Sequence, residues 1–369
     1  MTRLLFVMTD LTVGGAQRVM LHLIQEMIDK GLTADIFLLK GQGEFMADVP
    51  AGVKLFHGSP GRLLFKAPQI IVALARVAKQ YDVIIGALEL TPSYFAKAAA
   101  VVAGKAFIGW VHTTIERYLA KSSAVARLAA RLFYRQCDNL VFVSNGALNS
   151  MTRFCGSAVG ANWRVIYNGI PNSFFEQEPK ARSYHAEAPV RAIFVGRLES
   201  MKRLDVLVEA HVLARSAGAT HQLMIVGDGP EMGKLVSVKD RLQGKCDVDL
   251  HGSSKNVISL LDDADVFVLS SEFEGLPTVI IEAMARGLPV ISTDCESGPA
   301  ELLENGKFGI LCEVNSASAL SSALYTLVTD PKARESYSAK SLTRSREFAV
   351  SRVVQHWQDM VETTLALKM

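Results

Sequence analysis

The stretch "DVFVLSSEFEGLPTVIIEAMARGLPVIST", residues 265–293, decides how this chain folds. It opens on an apolar, β-branched and aromatic run, DVFVLS (265–270), that reads as a buried strand. The loop EFEG follows, and Pro277 suits the first position of a helix, where no backbone N–H is needed. That helix runs to about Arg286 and is closed by Gly287, and PVIST (289–293) then reads as a second strand. Apolar strands alternating with helices predict a parallel sheet covered on both faces.

The same alternation extends in both directions. Residues 4–8, 34–39, 82–87, 106–111, 139–144 and 163–168 read as one series of strands, with helices such as 15–30 and 68–80 between them. A polar, irregular segment at 171–189 interrupts the pattern. A second series then comprises 191–196, 221–227, 246–252, 265–270, 289–293 and 309–312. The fold class expected is α/β, with two facing Rossmann-like domains, 1–171 and 172–349, and a cleft between them. A last helix within 350–369 is expected to cross back to the first domain. Ligands of open parallel sheets bind beyond the carboxyl ends of the strands, so chemistry is sought in the residues that follow each strand.

Composition narrows the functional classes. The chain has 369 residues, 49% apolar and 21% charged, which suits two domains of ordinary size. Its five cysteines (Cys137, Cys155, Cys246, Cys295, Cys312) show no metal-ligand spacing and read as reduced thiols in a cytoplasmic protein. The apolar run in MTRLLFVMTD is too short for a signal peptide. No run reaches the roughly 18 apolar residues of a membrane span, since 98–111 is broken by Lys105. The net charge of +2 hides an asymmetry: residues 1–175 hold 18 Lys+Arg against 10 Asp+Glu, and 176–369 hold 21 against 27. A basic half joined to an acidic half points to partners rather than to fold.

Several strand ends carry candidate binding chemistry. Gly14-Gly15-Ala16-Gln17-Arg18 opens a helix after the first strand, where a glycine pair lets backbone N–H groups approach a phosphate or sugar. It is not the G-x-G-x-x-G dinucleotide fingerprint. His112 directly follows a strand, a place where a neutral imidazole fits a sugar hydroxyl. Arg197 stands one residue past Gly196, with Lys202 five further on near a helix start. Two cations beside a helix N-terminus suit a diphosphate, whereas Arg203 reads as solvated surface charge. Asp228 and Gly229, and then His251, Gly252 and Asn256, lie in further strand-to-glycine turns.

Glu274 precedes the helix of the opening stretch, and Glu282 lies inside it, about 7–8 Å further along the axis at ~1.5 Å per residue. A sugar and a ribose joined through a diphosphate are spaced on that scale. Val279, Ile280, Ile281, Ala283 and Met284 surround Glu282 in sequence. Glu282 is therefore expected to be buried, with hydrogen bonds to a diol offsetting the cost.

Taken in order, these motifs resemble the retaining glycosyltransferases of family 4, which have the GT-B fold. The resemblance rests on Gly14–Arg18, NGI at 168–170, VGRL…K at 195–202, VGDGP at 226–230, HG at 251–252 and the E-x7-E pair Glu274/Glu282. It implies transfer of a sugar from a nucleotide-diphosphate donor with retention at the anomeric carbon. Arg197 and Lys202 would stabilise the departing diphosphate and Glu282 would bind the ribose. Glu274 with the Gly275 and Leu276 amides would position the hexose, and His112 would lie near the donor sugar. Gly14, Gly15, Gly196, Asp228, Gly229, His251, Gly252, Pro277 and Thr278 complete the implied donor site. No cofactor and no metal are implied, in keeping with the lack of a DxD motif after a suitable strand. The run TDCESGPAELLENGKFGILC (293–312) resembles bacterial members that build lipopolysaccharide, capsule or lipid-linked oligosaccharide. UDP-sugars are favoured there, and GDP-mannose stays open. A GT-B-fold isomerase or hydrolase of the nucleotide sugar, or a non-catalytic sugar-nucleotide-binding module, are the alternatives.

Residues 117–136 carry Arg117, Lys121, Arg127, Arg131 and Arg135 among leucines, and GRLLFK (61–66) adds two more cations. With the basic first half, this pattern suggests docking on anionic lipid at the inner face of the cytoplasmic membrane, where a lipid-linked acceptor would be met. No nucleic-acid partner is expected.

Overall fold

The computed structural model describes residues 2–12, 14–58, 63–156, 160–180, 189–242 and 247–368. Arg62, residues 181–188 of the interrupting segment and Cys246 lie outside the described residues. The chain divides into two compact units, one of residues 1–170 with 350–369 and one of residues 171–349.

Unit 1 holds seven strands: β1 (Arg3–Met8), β2 (Thr33–Leu38), β3 (Leu55–His57), β4 (Val83–Gly86), β5 (Ala106–Val111), β6 (Asn139–Phe142) and β7 (Asn162–Val165). Every pairing is parallel, in the order β3-β2-β1-β4-β5-β6-β7. Unit 2 holds β8 (Val190–Val195), β9 (His221–Val226), β10 (Val248–Gly252), β11 (Val266–Leu269), β12 (Val290–Thr293) and β13 (Ile310–Cys312). They too pair in parallel, in the order β10-β9-β8-β11-β12-β13. Winding reverses between β1 and β4 and again between β8 and β11. A crevice opens beyond such a reversal because the flanking crossovers leave in opposite directions.

Local structure differs from the sequence reading at three places. β3 was not expected; it is a three-residue edge strand, only partly buried, with too few residues to show a period. The second helix runs Leu63–Ala78 and carries Pro68 inside it, five residues after its start rather than at its start. Pro277 is the N-cap of the Thr278–Ala285 helix, with φ −76° and ψ 90°, one position before the expected one.

The helix Val350–Ala366 belongs to unit 1. Its Trp357 meets Trp110 of β5 edge-on at 4.8 Å, and Val350 N–H donates to Ile170 O at 3.0 Å. A Cβ on Gly169 would lie 2.8 Å from Val350 Cα, so only glycine lets the two segments pass this closely. In unit 2 the buried Arg286 gathers the start of the chain's second half. Its guanidinium donates to both Asp262 carboxylate oxygens (2.7 and 2.9 Å), to Phe174 O (3.0 Å) and to Gln177 O (2.8 Å). Among the described residues no helix is long and apolar enough to cross a membrane.

Candidate active site

Three loops of unit 2 are sewn together by backbone hydrogen bonds beyond β8, β9 and β10. Gly196 N–H donates to Val226 O (3.0 Å), Leu198 N–H to Asp228 O (2.9 Å), Glu231 N–H to Leu198 O (3.0 Å) and Gly227 N–H to Gly252 O (2.8 Å). Glycine is required where the loops touch. A Cβ on Gly227 (φ +144°) would overlap Gly196 O, and one on Gly229 (φ +156°) would lie 2.5 Å from Leu198 O. Asp228 Oδ1 accepts the Gly229 N–H at 2.7 Å and so folds back on its own turn. At His251 the pairing of β10 with β9 slips by one residue, so that Gly252 stands opposite Val226. The His251 side chain is left exposed, as is that of Asn256.

Arg197 and Lys202 occupy different settings. The Arg197 side chain is 55% exposed, and its Nη1 lies 3.2 Å from Glu199 Oε1. The Lys202 side chain is only 15% exposed, and its Nζ lies 2.6 Å from Glu274 Oε1. The same Glu274 oxygen accepts the Ser271 hydroxyl at 2.6 Å. Lys202 is fixed at its backbone as well, because Ser270 Oγ donates to Lys202 O (2.7 Å) and Glu272 N–H to Met201 O (2.8 Å). Arg203, expected to be a solvated charge, is half-buried. It adopts the left-handed conformation (φ 47°) as N-cap of the Leu204–Ser216 helix, and its guanidinium pairs with Asp205 at 3.1 and 3.2 Å and with Asn315. Lys202 and Glu274 thus meet where the winding of unit 2 reverses, between the ends of β8 and β11.

The burial expected of Glu282 belongs instead to Glu274, which is 8% exposed, while Glu282 is half-buried. Sequence neighbours of Glu282 point elsewhere around the helix: Ile280, Ile281, Ala283, Met284 and Ala285 are buried, and Val279 shares the half-exposed face three residues away. Loop residues from β12 prop the Glu274 loop. Thr293 Oγ1 donates to Ser271 O (2.6 Å) and Ser297 Oγ to Gly275 O (2.7 Å). Burial first, and the Glu274 carboxylate second, push the neighbouring Cys295 thiol up to about 12, so it is protonated and no nucleophile at neutral pH. Sequence reading missed Ser271, Thr293 and Ser297; none carries a local signal beyond being a small hydroxyl near a turn.

Unit 1 holds the remaining candidates. Gly14 is the N-cap of the Gly15–Asp29 helix, and open space lies above Gly15. His112 is buried beside Trp110 (4.4 Å between centroids), and its Nε2 has no hydrogen-bond partner among the described residues. Burial lowers its pKa to about 3, which keeps the ring neutral. Its backbone N–H donates to Glu89 Oε2 (3.0 Å), and Thr113 Oγ1 donates to Glu89 Oε1 (3.2 Å). Glu89 was not singled out in the sequence. It follows β4, burial pushes its pKa up, and the next residue, Leu90, is held at φ 58° with its N–H on Tyr134 OH at 2.8 Å. The structure brings Lys202 with Glu274, and the Gly196, Asp228/Gly229 and Gly252 loops, into direct contact; Gly14, Gly15 and His112 stand at strand ends of unit 1.

Comparison with known proteins identifies the family. The family described as "Glycosyltransferase Family 4" matches residues 13–174, and "Glycosyl transferases group 1" matches residues 176–344. The chain belongs to the family 4 glycosyltransferases. A lipopolysaccharide core biosynthesis glycosyltransferase, LpsE, of Rhizobium meliloti is 27% identical over 336 residues, 87% of each chain. An N-acetylgalactosamine-N,N'-diacetylbacillosaminyl-diphospho-undecaprenol 4-alpha-N-acetylgalactosaminyltransferase of Campylobacter jejuni is 28% identical over 227 residues, 62% of this chain and 60% of that one. Among solved structures, Anabaena HepE in complex with UDP and glucose superposes with a TM-score of 0.81 at 20% identity, covering 98% of this chain and 100% of HepE. The glycosyltransferase has the GT-B fold of two Rossmann-like domains.

Proposed function

We propose that this glycosyltransferase moves a hexose or N-acetylhexosamine from a UDP-sugar, with retention at the anomeric carbon, to a glycan or lipid-linked acceptor of cell-envelope polysaccharide. The observation that carries the reading is the Lys202–Glu274 pair at the winding reversal of unit 2. An ammonium has three donors, and Glu274 takes one, which leaves two for diphosphate oxygens. Glu274 receives both of its protein donors on Oε1, which leaves Oε2 for a sugar hydroxyl. Glu282 on the half-exposed helix face suits the ribose diol, and the neutral His112 suits a hydroxyl of the transferred sugar.

In the reaction, the bond from C1 to the diphosphate oxygen breaks and UDP departs with the electron pair. The acceptor oxygen bonds C1 from the same face and passes its proton to the departing phosphate. Arg197 and Lys202 meet the charge that develops on that phosphate, so activity is expected to survive EDTA. UDP-bound HepE and the polyprenyl-linked acceptor named for the Campylobacter relative support donor and acceptor class respectively. Thermal-shift measurements with UDP-, GDP- and ADP-sugars test the donor, since a ligand of the folded state stabilises by mass action. Nucleoside-diphosphate release that needs an acceptor, with an α-linked product from an α-linked donor, supports the reading. Release without an acceptor supports a hydrolase instead, and an inverted product overturns retention.

The enzyme is also proposed to work at the inner face of the cytoplasmic membrane through the Ala124–Arg135 helix. Its core-facing side is Ala130 and Tyr134, and Val125, Leu128 and Leu132 stand exposed among Arg127, Arg131 and Arg135, with Arg117, Tyr118 and Lys121 exposed just before it. Outward apolar side chains flanked by cations suit an anionic bilayer. Vesicle flotation checks this: anionic vesicles are expected to carry the enzyme and neutral ones not. Equal binding, or none, overturns it.

A further inference from the structure

We propose that Ser297 is a positioning residue for sugar transfer, its hydroxyl setting the orientation of the Gly275–Leu276 peptide and so aiming the Leu276 N–H at the donor sugar. This rests on the reading above, in which the amides of that loop position the hexose. In a trans peptide the carbonyl and the following N–H point in opposite directions. Holding Gly275 O on one side therefore turns Leu276 N–H to the other.

The loop has one soft joint, and Ser297 sits on it. Gly275 has no Cβ to restrict its rotation, whereas Leu276 precedes Pro277 and is confined to extended conformations. Turning at Gly275, not at Leu276, is thus the cheapest way for the 275–276 peptide to change direction. Ser297 is 2% exposed and donates its hydroxyl to Gly275 O at 2.7 Å. Gly298, at φ +95°, brings the backbone against the same joint: a Cβ there would lie 2.5 Å from Pro277 Cδ and 3.2 Å from Gly275 O. Thr293 fastens the other end of the turn through Ser271 O (2.6 Å). Among the described residues neither the Gly275 nor the Leu276 N–H donates to a protein group. The carbonyl is tied and the amides are offered, which is the arrangement an oxygen-rich ligand needs.

The test compares the full-length wild type with Ser297→Ala, Ser297→Cys and Ser297→Thr, measuring UDP and UDP-glucose affinity by calorimetry, turnover and thermal midpoint. UDP galactosides replace UDP-glucose if they prove the better donor for the wild type. Losing one such hydrogen bond is expected to lower turnover and the affinity for the UDP-sugar about fivefold to tenfold. UDP affinity should stay within about twofold, because UDP lacks the hexose. Ser297→Cys keeps the side-chain volume but donates weakly, so it reads the same loss if Ser297→Ala is too unstable. Ser297→Thr keeps the hydroxyl and is expected to restore most of the selectivity. An unchanged ratio of UDP-sugar to UDP affinity with unchanged turnover in Ser297→Ala overturns the proposal. Equal loss for UDP and UDP-sugar overturns it too, since that marks general loosening of the site. A wild type that binds no nucleotide sugar overturns the proposed function itself, and this inference with it.

Discussion

The candidate residues at strand ends of the two units are held differently. In unit 2 polar side chains at the ends of β8, β11 and β12 are tied to one another or to backbone: Lys202 to Glu274, Ser271 to Glu274, Thr293 to Ser271 O, Ser297 to Gly275 O. Among the described residues, Trp110 Nε1, His112 Nε2 and Asn168 Oδ1 of unit 1 are buried without a partner, whereas the orphaned atom of unit 2, His211 Nε2, lies on the Leu204–Ser216 helix and not in these loops. A buried polar atom left unmade costs about 1–3 kcal/mol, so a fold keeps such atoms where something other than stability is served. In a wired loop the same bonds serve stability and chemistry, and a substitution should damage both. At an orphaned atom the two should separate.

Lys202→Met probes the wired side and carries the largest effect. Turnover is expected to fall about 10²–10³-fold, the usual loss of one group that meets charge developing at the reacting centre. The same variant leaves Glu274 buried with Ser271 as its one remaining donor, so the denaturation midpoint should fall as well. Activity lost at an unchanged midpoint would mean that the pair contributes nothing to the fold and that the contrast between the units is mistaken.

His112→Leu probes the orphaned side. Activity is expected to fall about tenfold or more, the loss of a hydrogen bond to substrate. Stability should change little, because the orphaned Nε2 is removed together with the ring's hydrogen bond to the Ala87 backbone, and the two losses offset. Glu89, beside His112, is wired as the unit 2 loops are: it is a buried carboxyl that takes the His112 N–H and the Thr113 hydroxyl. Glu89→Leu would orphan both donors, and a loss of about 1–3 kcal/mol in urea denaturation is expected, in contrast to His112→Leu. If both variants lose stability alike, the distinction fails.

These pairs also mark what the sequence could reveal. Apolar strands, glycine turns and the E-x7-E spacing are local patterns, and they were enough to anticipate two parallel sheets, β3 apart, and to put Lys202 and Glu274 each after a strand; that those strands, β8 and β11, are neighbours is a fact of the fold. Partners set by distant contacts left no local trace. Ser297 and Gly275 are 22 residues apart and Glu89 and His112 are 23 apart, and serine near a turn is too common to single out. Burial was assigned to Glu282 from its neighbours in sequence, but neighbours in a helix point in different directions, and the buried acid is Glu274.

A histidine pair in unit 2 offers a smaller, pH-dependent effect away from these loops. His211 Nδ1 and His221 Nε2 are 2.8 Å apart, both rings are buried, and Arg215 Nη1 donates to His221 O at 2.6 Å. Burial first, then His221 and Arg215, lower the His211 pKa to about 3; burial likewise lowers that of His221. Folded-state values below the unfolded value near 6.5 mean that the unfolded chain binds more protons. Their contribution is therefore complete above pH 6.5 and is lost as pH falls below it, for His211 toward about 3, at most about 1.4 kcal/mol per pH unit for each ring. Urea denaturation at pH 7.5, 6.0 and 5.0 checks the slope, which should flatten in His211→Leu. A rise in stability on acidification across that range would contradict it.

The smallest effect is expected where a cation of the candidate site is paired in the open. Arg197 and Glu199 lie 3.2 Å apart, but Arg197 is mostly exposed, so water and salt screen the attraction and ordering two long side chains offsets what remains. A double-mutant cycle of Arg197→Ala and Glu199→Gln on stability should give a coupling within about 0.5 kcal/mol, vanishing at high salt. The matching cycle of Lys202→Met and Glu274→Gln should give a larger coupling that salt hardly changes, because its charges are shielded from solvent. Catalysis sharpens the same difference. Glu199→Gln frees Arg197 at little cost and should leave turnover within about twofold, since an exposed partner is readily exchanged for phosphate. Glu274→Gln should depress turnover well beyond that, because it removes the charge that holds Lys202. Equal losses in the two variants would mean that both acids serve one common role, and that burial does not separate the two cations.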